Sequence, residues 1–295
     1  MDTYISRRSP TKMSKLSVVL ATRNEEKNIG PCLESIKAIA DEIIVVDEYS
    51  TDKTREIAKK YGAKVYLEPH HDVFHITKQK ALEKATGDWI LQLDADEVVT
   101  SKLANEIRRL VTFNKQPKAP PELFIRHQKL VEQRDGKIGK DTGEVIAFFV
   151  PRLNYFLGKP LRYAGVYPDG VIRLVKKGKA RFPQISVHEQ IEVDGEVAWL
   201  ANNLEHHDLP TLERYLSRLN RYTDLKAAEF KEQRLPKNIF TLFFFSFIRP
   251  FLVFLNLYFR HKGFLDGMRG FIWCLFSSLH FPIAYYKYWQ WRLKT

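Results

Sequence analysis

The chain has 295 residues, 44% hydrophobic and 28% charged, an ordinary globular composition that excludes wholesale disorder. With 47 Lys and Arg against 35 Asp and Glu, it carries a formal charge of +12. An anionic partner is therefore expected: nucleic acid, acidic lipid or a phosphorylated substrate. Cys32 and Cys274, its two cysteines, exclude a disulfide framework and a cysteine-built metal site, so a reducing compartment is the default.

Residues 1–15 read as a flexible basic tail with Arg7, Arg8, Lys12 and Lys15. The apolar run that follows, Leu16–Ala21, is too short for a signal-peptide core, which leaves the catalytic body expected in the cytoplasm. That run is instead a buried strand, and Asn24 is placed to cap a helix with Glu25 and Glu26 in its first turn. Ile29, Cys32, Leu33 and Ile36 continue it at helical spacing. A second strand is expected over Ile43–Asp47, a helix over Thr51–Tyr61 closed by Gly62, and a third strand over Ala63–Leu67. A helix around Ile76–Ala85 leads through Gly87 into a fourth strand, Trp89–Leu93, and Ser101–Val111 forms another helix. Such alternation predicts βαβ units and a parallel sheet, which binds ligands at the carboxyl ends of its strands.

Beyond Lys115 the regularity fails. Gln133–Glu144 reads as a hairpin tip or loop. Strand-like runs at Val145–Val150, Val171–Val175 and Ile185–Val187 extend a mixed sheet, and Leu212–Phe230 is an amphipathic helix. Two apolar stretches close the chain, Ile239–Phe259 and Met268–Tyr286. From Leu235 onward there are eight Lys or Arg residues against one acid, Asp266, interleaved with Phe, Leu, Trp and Tyr. That mixture fits an anionic bilayer interface better than a duplex, and no nucleic-acid-binding signature accompanies it. Arg249, Pro250 and Asn256 interrupt the first stretch, and Arg269 and His280 the second. Interfacial or re-entrant helices are expected ahead of full spans, with a buried helical core or dimer interface as the other reading. Tyr285, Tyr286, Tyr288, Trp289 and Trp291 stand beside basic residues as a headgroup-level aromatic belt does.

The polar clusters fall where the sheet should bind. Asp94-Ala95-Asp96 follows the fourth strand, and two carboxylates one residue apart there can face the same side. Their mutual repulsion favours a hard divalent cation, Mg²⁺ or Mn²⁺, able to bridge to a diphosphate and offset charge on a departing nucleotide. A D-x-D triplet is also common in solvated turns; three acidic strand ends in series separate this one from those. Asp47 ends the second strand, placed to accept a hydrogen bond from a nucleobase or ribose, while Ser50 or Asp52 caps the next helix. Glu25 has a competing role at a helix N-terminus. Arg173 either meets the diphosphate or is a solvated strand residue.

Three segments, SVVLATRNEEKNI, IIVVDEYSTDKT and GDWILQLDADE, occur in order over Leu16–Asn105 and resemble the family 2 glycosyltransferases. The last of them, with the later Val187-His188-Glu189, looks like the lipopolysaccharide-core glucosyltransferase branch. The resemblance implies a GT-A nucleotide-sugar-binding α/β fold, with Thr22, Glu25 and Asp47 contacting the nucleoside and Lys78 facing the phosphates. It assigns Asp94 and Asp96 to the metal and diphosphate, and Glu189 as the general base of an inverting transfer. Glu189 can otherwise be an exposed strand-edge residue. Similarity also favours His206, over His207, as a third metal ligand, against a capping or surface role. Glu48 departs from the family pattern, which commonly has Asp or a small polar residue there.

The organisation expected is a tail over 1–15, a nucleotide-sugar-binding half over 16–115, an acceptor-binding half over 116–211 and a helical membrane-associating region over 212–295. The donor would be a nucleotide diphosphate sugar, UDP-linked, and the acceptor a lipid-linked or lipopolysaccharide-core saccharide at the cytoplasmic face of a bacterial membrane. A sugar-phosphate nucleotidyltransferase would carry a Gly-rich basic loop after the first strand, where Thr22-Arg23-Asn24-Glu25 stands. A non-catalytic scaffold has no need of the intact carboxylate set.

Overall fold

The computed structural model describes residues 13–113, 117, 119–183 and 191–290. The chain divides into two compact units: the first runs to Arg152 and resumes over Gly170–Glu205, and the second takes Leu153–Asp169 and resumes at His206.

The first unit opens with the expected alternation: β1 Leu16–Thr22, α1 Ile29–Ile36, β2 Glu42–Asp47, α2 Thr54–Lys60, β3 Lys64–Leu67, α3 Phe74–Lys84 and β4 Trp89–Leu93. Then come β5 Glu97–Val99, α4 Ser101–Phe113 and α5 Glu122–Asp135. The later strands are β6 Val145–Phe156, β7 Lys159–Pro160, β8 Asp169–Lys176, β9 Ala180–Arg181, β10 Glu192–Val193, β11 Glu196–Trp199 and β12 Leu204–Leu209. Within the sheet, β3, β2, β1 and β4 are parallel neighbours in that order. β8 then joins β4 antiparallel, with Ile90 opposite Val175, so the sheet is mixed as expected. Every residue of β1 and β4 is buried, which is why both read as continuous apolar runs rather than alternating ones.

Registers fix the site. Thr22 lies opposite Asp47, and Asp47 opposite Leu67, so the polar residues ending β1 and β2 are neighbours. Leu20 pairs with Leu93, which brings Asp94 out at the same end of the sheet. The helices hold this end in place through one core: Ile29, Cys32, Leu33 and Ile36 of α1 and Leu103, Ile107, Leu110 and Val111 of α4 pack on Val18, Leu20, Leu91 and Leu93. Burying each large aliphatic side chain of this kind contributes about 1.5–3 kcal/mol.

Two local expectations are corrected, and the choice between two capping residues is decided. Helix α1 begins at Ile29 rather than after Asn24, because Asn24 is left-handed (φ 55°) and spends its side chain on the Thr51 N–H. Asp52 rather than Ser50 holds the start of α2, accepting from the Thr54 N–H at 3.0 Å. Residues expected to be irregular form α5, whose few buried side chains, Phe124 and Val131, leave it little periodic signal. The strand expected at Ile185–Val187 lies outside the described residues.

In the second unit, α6 spans Leu212–Glu232, with the Thr211 side chain accepting from the Arg214 N–H. A continuous helix runs from Ile239 to Arg260, with a mean hydropathy of 1.8 over its most apolar window. Arg249, Pro250 and Asn256 do not break it; one π-helical stretch, Phe244–Ile248, precedes Arg249 and Pro250, and a second, Asn256–Arg260, begins at Asn256, absorbing the local mismatch. The last helix, Gly267–Gln290, packs against both. At Gly270 the Gly263 carbonyl occupies the place of a Cβ, so only glycine permits that approach. Two aromatic clusters fill the unit: Phe156, Leu161, Leu209 and Tyr215 with Trp273, and Phe230, Tyr285 and Tyr288 with Phe245.

Candidate active site

Asp94 sits at the carboxyl end of β4, clamped between two cations. Lys78 Nζ lies 2.5 Å from Oδ1 and the Arg173 guanidinium 2.5 Å from Oδ2. Lys78 comes from α3, is nearly buried, and passes over the rings of Phe74 and Phe182 at 5.7 and 6.0 Å. Arg173 comes from β8, 6% exposed, and also donates to Gln92 and, at 2.6 Å, to Glu97. Its reading as a solvated strand residue is therefore overturned: a guanidinium is kept inside because three acceptors surround it. Burial alone would raise the Asp94 carboxyl, but Arg173 and then Lys78 hold it well below the usual carboxylate range.

Its partner in the triplet has the opposite fate. Burial, and then the charges of Asp94, Glu97 and Glu25, push Asp96 up to about 7. The two carboxylates thus divide the work: one is committed as an anion, and the other is raised by burial and by its acidic neighbours. Such a donor set of oxygen ligands fits a hard divalent cation, which would relieve the excess negative potential around Asp96. Among the described residues no group of three or more His, Cys, Asp or Glu side chains is already arranged around one point. Burial and the same carboxylates also raise the Cys32 thiol, whose sulfur is 3.7 Å from the Asp94 carbonyl oxygen, so this cysteine is inert core.

A braced pair of loops closes the other side. Asp47 is fully buried and accepts from Thr22 Oγ1 at 2.9 Å and from the Ser50 N–H and hydroxyl at 2.7 and 2.6 Å. Ser50 Oγ in turn accepts from the Asn24 N–H, and Thr54 Oγ1 from the Glu25 N–H. Glu25 itself accepts from the Asn28 side chain at 2.7 Å. Glu48, the residue that departs from the family pattern, is buried and bonded to Thr77 and, at 2.6 Å, to His70.

The structure therefore brings together Thr22 with Asp47, and Lys78, Asp94 and Arg173, with Asp96 and Glu25 in one electrostatic neighbourhood. Glu189 lies outside the described residues. His206 belongs to the second unit, where Nδ1 is 2.6 Å from Asn154 Oδ1 and 3.8 Å from Asp208. Sequence reasoning did not single out Glu97, Gln92 or Arg152. Glu97 is fully buried, receives Arg173 and Arg152, and accepts from the Asp94 N–H at 3.0 Å. Its signal was present as the last letter of DADE, a third acid too many for a solvated turn to need.

Residues 17–118 match the profile of Glycosyl transferase family 2. The chain is 27% identical over 282 residues to the lipopolysaccharide core biosynthesis glycosyltransferase LpsC of Rhizobium meliloti, covering 93% of this chain and 92% of that protein. It is 28% identical over 268 residues to an uncharacterized glycosyltransferase of Rickettsia typhi, covering 87% and 82%. Among solved structures, the mannosyltransferase PcManGT of Pyrobaculum calidifontis, in complex with GDP-Man and Mn²⁺, aligns with a TM-score of 0.44 and 16% identity over 92% of this chain and 74% of that one. The GT-A-type α/β fold and the glycosyltransferase reading drawn from the sequence are borne out.

Proposed function

We propose that this chain, which belongs to the family 2 glycosyltransferases, transfers a hexose from a nucleotide diphosphate sugar, UDP-linked, to a hydroxyl of a lipid-linked or lipopolysaccharide-core saccharide. The observation that carries this reading is the pairing at the end of β4: one carboxylate locked by Lys78 and Arg173, beside Asp96 raised to about 7. A diphosphate needs both halves of such a site. Lys78 and Arg173 offer buried positive charge to its oxygens, exchanging part of their hold on Asp94 for it. Asp96, with Asp94, would hold Mg²⁺ or Mn²⁺, which supplies Lewis-acid neutralisation of the leaving diphosphate.

Thr22, Glu25 and Asp47 form the nucleoside side. The Asp47 carboxylate, already rigidly oriented, can trade its Ser50 hydroxyl for a base N–H or ribose hydroxyl without moving the backbone. Glu189 acts as general base: it takes the proton of the acceptor hydroxyl while that oxygen attacks the anomeric carbon. The bond from that carbon to the diphosphate oxygen breaks, its electron pair leaves with the diphosphate, and the anomeric configuration inverts. The catalytic unit works at the cytoplasmic face of a bacterial envelope membrane, held there peripherally or monotopically by the second unit's apolar helices and basic residues.

The test is donor hydrolysis and calorimetry with a panel of nucleotide sugars, in Mn²⁺, in Mg²⁺ and in chelator. Metal-dependent nucleotide binding and sugar release are expected with at least one donor; none with any donor would end the reading. Glu189→Gln is expected to remove turnover with binding of the nucleotide intact. Unchanged turnover would end the base assignment alone.

A further inference from the structure

One residue of the nucleoside side is unexplained by anything the folded chain does with it. Tyr49 sits in the turn after β2 with φ of 50°, the left-handed region, where glycine is at ease and asparagine tolerated but a bulky aromatic is strained. The backbone has no freedom to relax. Its neighbours Glu48 and Ser50 are both buried, Glu48 held by Thr77 and His70, Ser50 by two bonds to Asp47. The Ser50 carbonyl further accepts from Arg55 at 3.0 Å, and its hydroxyl from the Asn24 N–H at 2.8 Å. The turn is thus clamped from both sides, and the strain is imposed on whatever residue stands at position 49.

A tyrosine that relieved this cost through packing would be buried or bonded. Tyr49 is 57% exposed, and among the described residues it makes no hydrogen bond and no ring contact. A strained residue that gives nothing to the fold points to function. The ring is carried two residues after Asp47, on the turn whose rigidity also orients the Asp47 carboxylate. The chemistry matching an exposed ring two residues along the turn from the carboxylate proposed to bind base and ribose is another flat π face.

We propose that Tyr49 is the stacking platform for the nucleobase of the sugar donor, setting donor affinity without touching the reacting atoms. This rests on the donor-site reading above. Because every base has a π face, the platform contributes affinity without choosing the base; that choice falls to hydrogen-bonding groups.

Two substitutions test it. Tyr49→Phe keeps the ring, and Tyr49→Asn removes it while suiting the left-handed backbone, so the variant should fold with an unchanged or higher Tm. Calorimetry with UDP, GDP and inorganic pyrophosphate in Mn²⁺ would compare them with the parent chain. For whichever nucleotide the parent binds, Tyr49→Asn is expected to weaken it by about tenfold, Tyr49→Phe by less than about twofold, and neither should alter pyrophosphate. Equal nucleotide affinity in Tyr49→Asn, equal losses for nucleotide and pyrophosphate, or a change confined to the acceptor KM would overturn the platform and leave the donor site standing. Failure of the parent chain to bind either nucleotide would remove the donor site, and the platform with it.

Discussion

The two units invert each other's rules. In the first, charged groups are taken inside: Asp47, Glu97 and Arg173 are at most 6% exposed, each held by named partners, although the buried Arg173 Nε has none among the described residues. In the second, large apolar groups are left outside: Phe240, Phe247 and Met268 are 82%, 63% and 71% exposed. Each inversion costs folding free energy, and each prepares a surface for a partner of its own character. The catalytic unit keeps a preset electrostatic field for a charged ligand. The helical unit exposes an apolar face, which the proposed membrane association would cover.

The sharpest way to break the comparison is to unpair the buried charge. Arg173→Ala would leave Asp94 to Lys78 alone and Glu97 to the more distant Arg152, 3.5 Å away, a change that costs about 3–5 kcal/mol for a buried pair losing one member. The urea midpoint should fall accordingly, and sugar donation should be lost. Arg173→Lys keeps the charge but not the fork that reaches Gln92, Asp94 and Glu97 together, so it should recover only part of the stability. A midpoint unmoved by Arg173→Ala would mean that the guanidinium does not hold this cluster.

Asp96→Asn should separate stability from activity. Replacing a disfavoured anion by a neutral isostere should leave the fold as stable or more so, while metal-dependent donor hydrolysis falls by about 100-fold or more. The pH dependence has a definite sign. Asp96 keeps its proton up to about 7 in the folded chain, against 3.8 for a free aspartate. The folded state therefore binds more protons across that window, and the contribution of Asp96 to stability is lost as pH rises from about 4 to about 7. In Asp96→Asn this component should vanish, read as the difference in Tm between the two proteins at pH 4.5 and 7.5. An identical slope in both would exclude Asp96 as the group responsible.

What the sequence made legible follows the same division. Strands β1 and β4 were readable because they are buried on both faces, and the ends of β2 and β4 because Asp47 and the DADE run interrupt apolar stretches with acids. The pairing of Lys78 with Asp94 was reachable only through family resemblance, and that of Arg173 with Glu97 not at all. The second contact joins residues 76 positions apart, from β5 and β8, and nothing local in Val171–Val175 marks one arginine as internal. Helix α5 was missed for the related reason that only Phe124 and Val131 point into the core. In the second unit, composition gave the two apolar segments, whereas their continuity through Pro250 depends on π-helical turns that no periodicity displays.

The gentlest change probes the exposed apolar face alone. Phe247 and Phe251 lie one turn apart on the Ile239–Arg260 helix, 63% and 61% exposed. Because the folded chain gains little from either ring, replacing both by Asp should leave the urea midpoint and the hydrolysis of a soluble nucleotide sugar within about twofold. Entry of each ring into a bilayer interface is worth up to about 1.5–3 kcal/mol of apolar burial, and the new carboxylates would be repelled by acidic lipid. Sedimentation with vesicles containing phosphatidylserine should therefore show binding weakened by about 100-fold. Equal sedimentation of the two proteins would show that these rings do not meet the bilayer, and that the exposed stripe serves a protein surface.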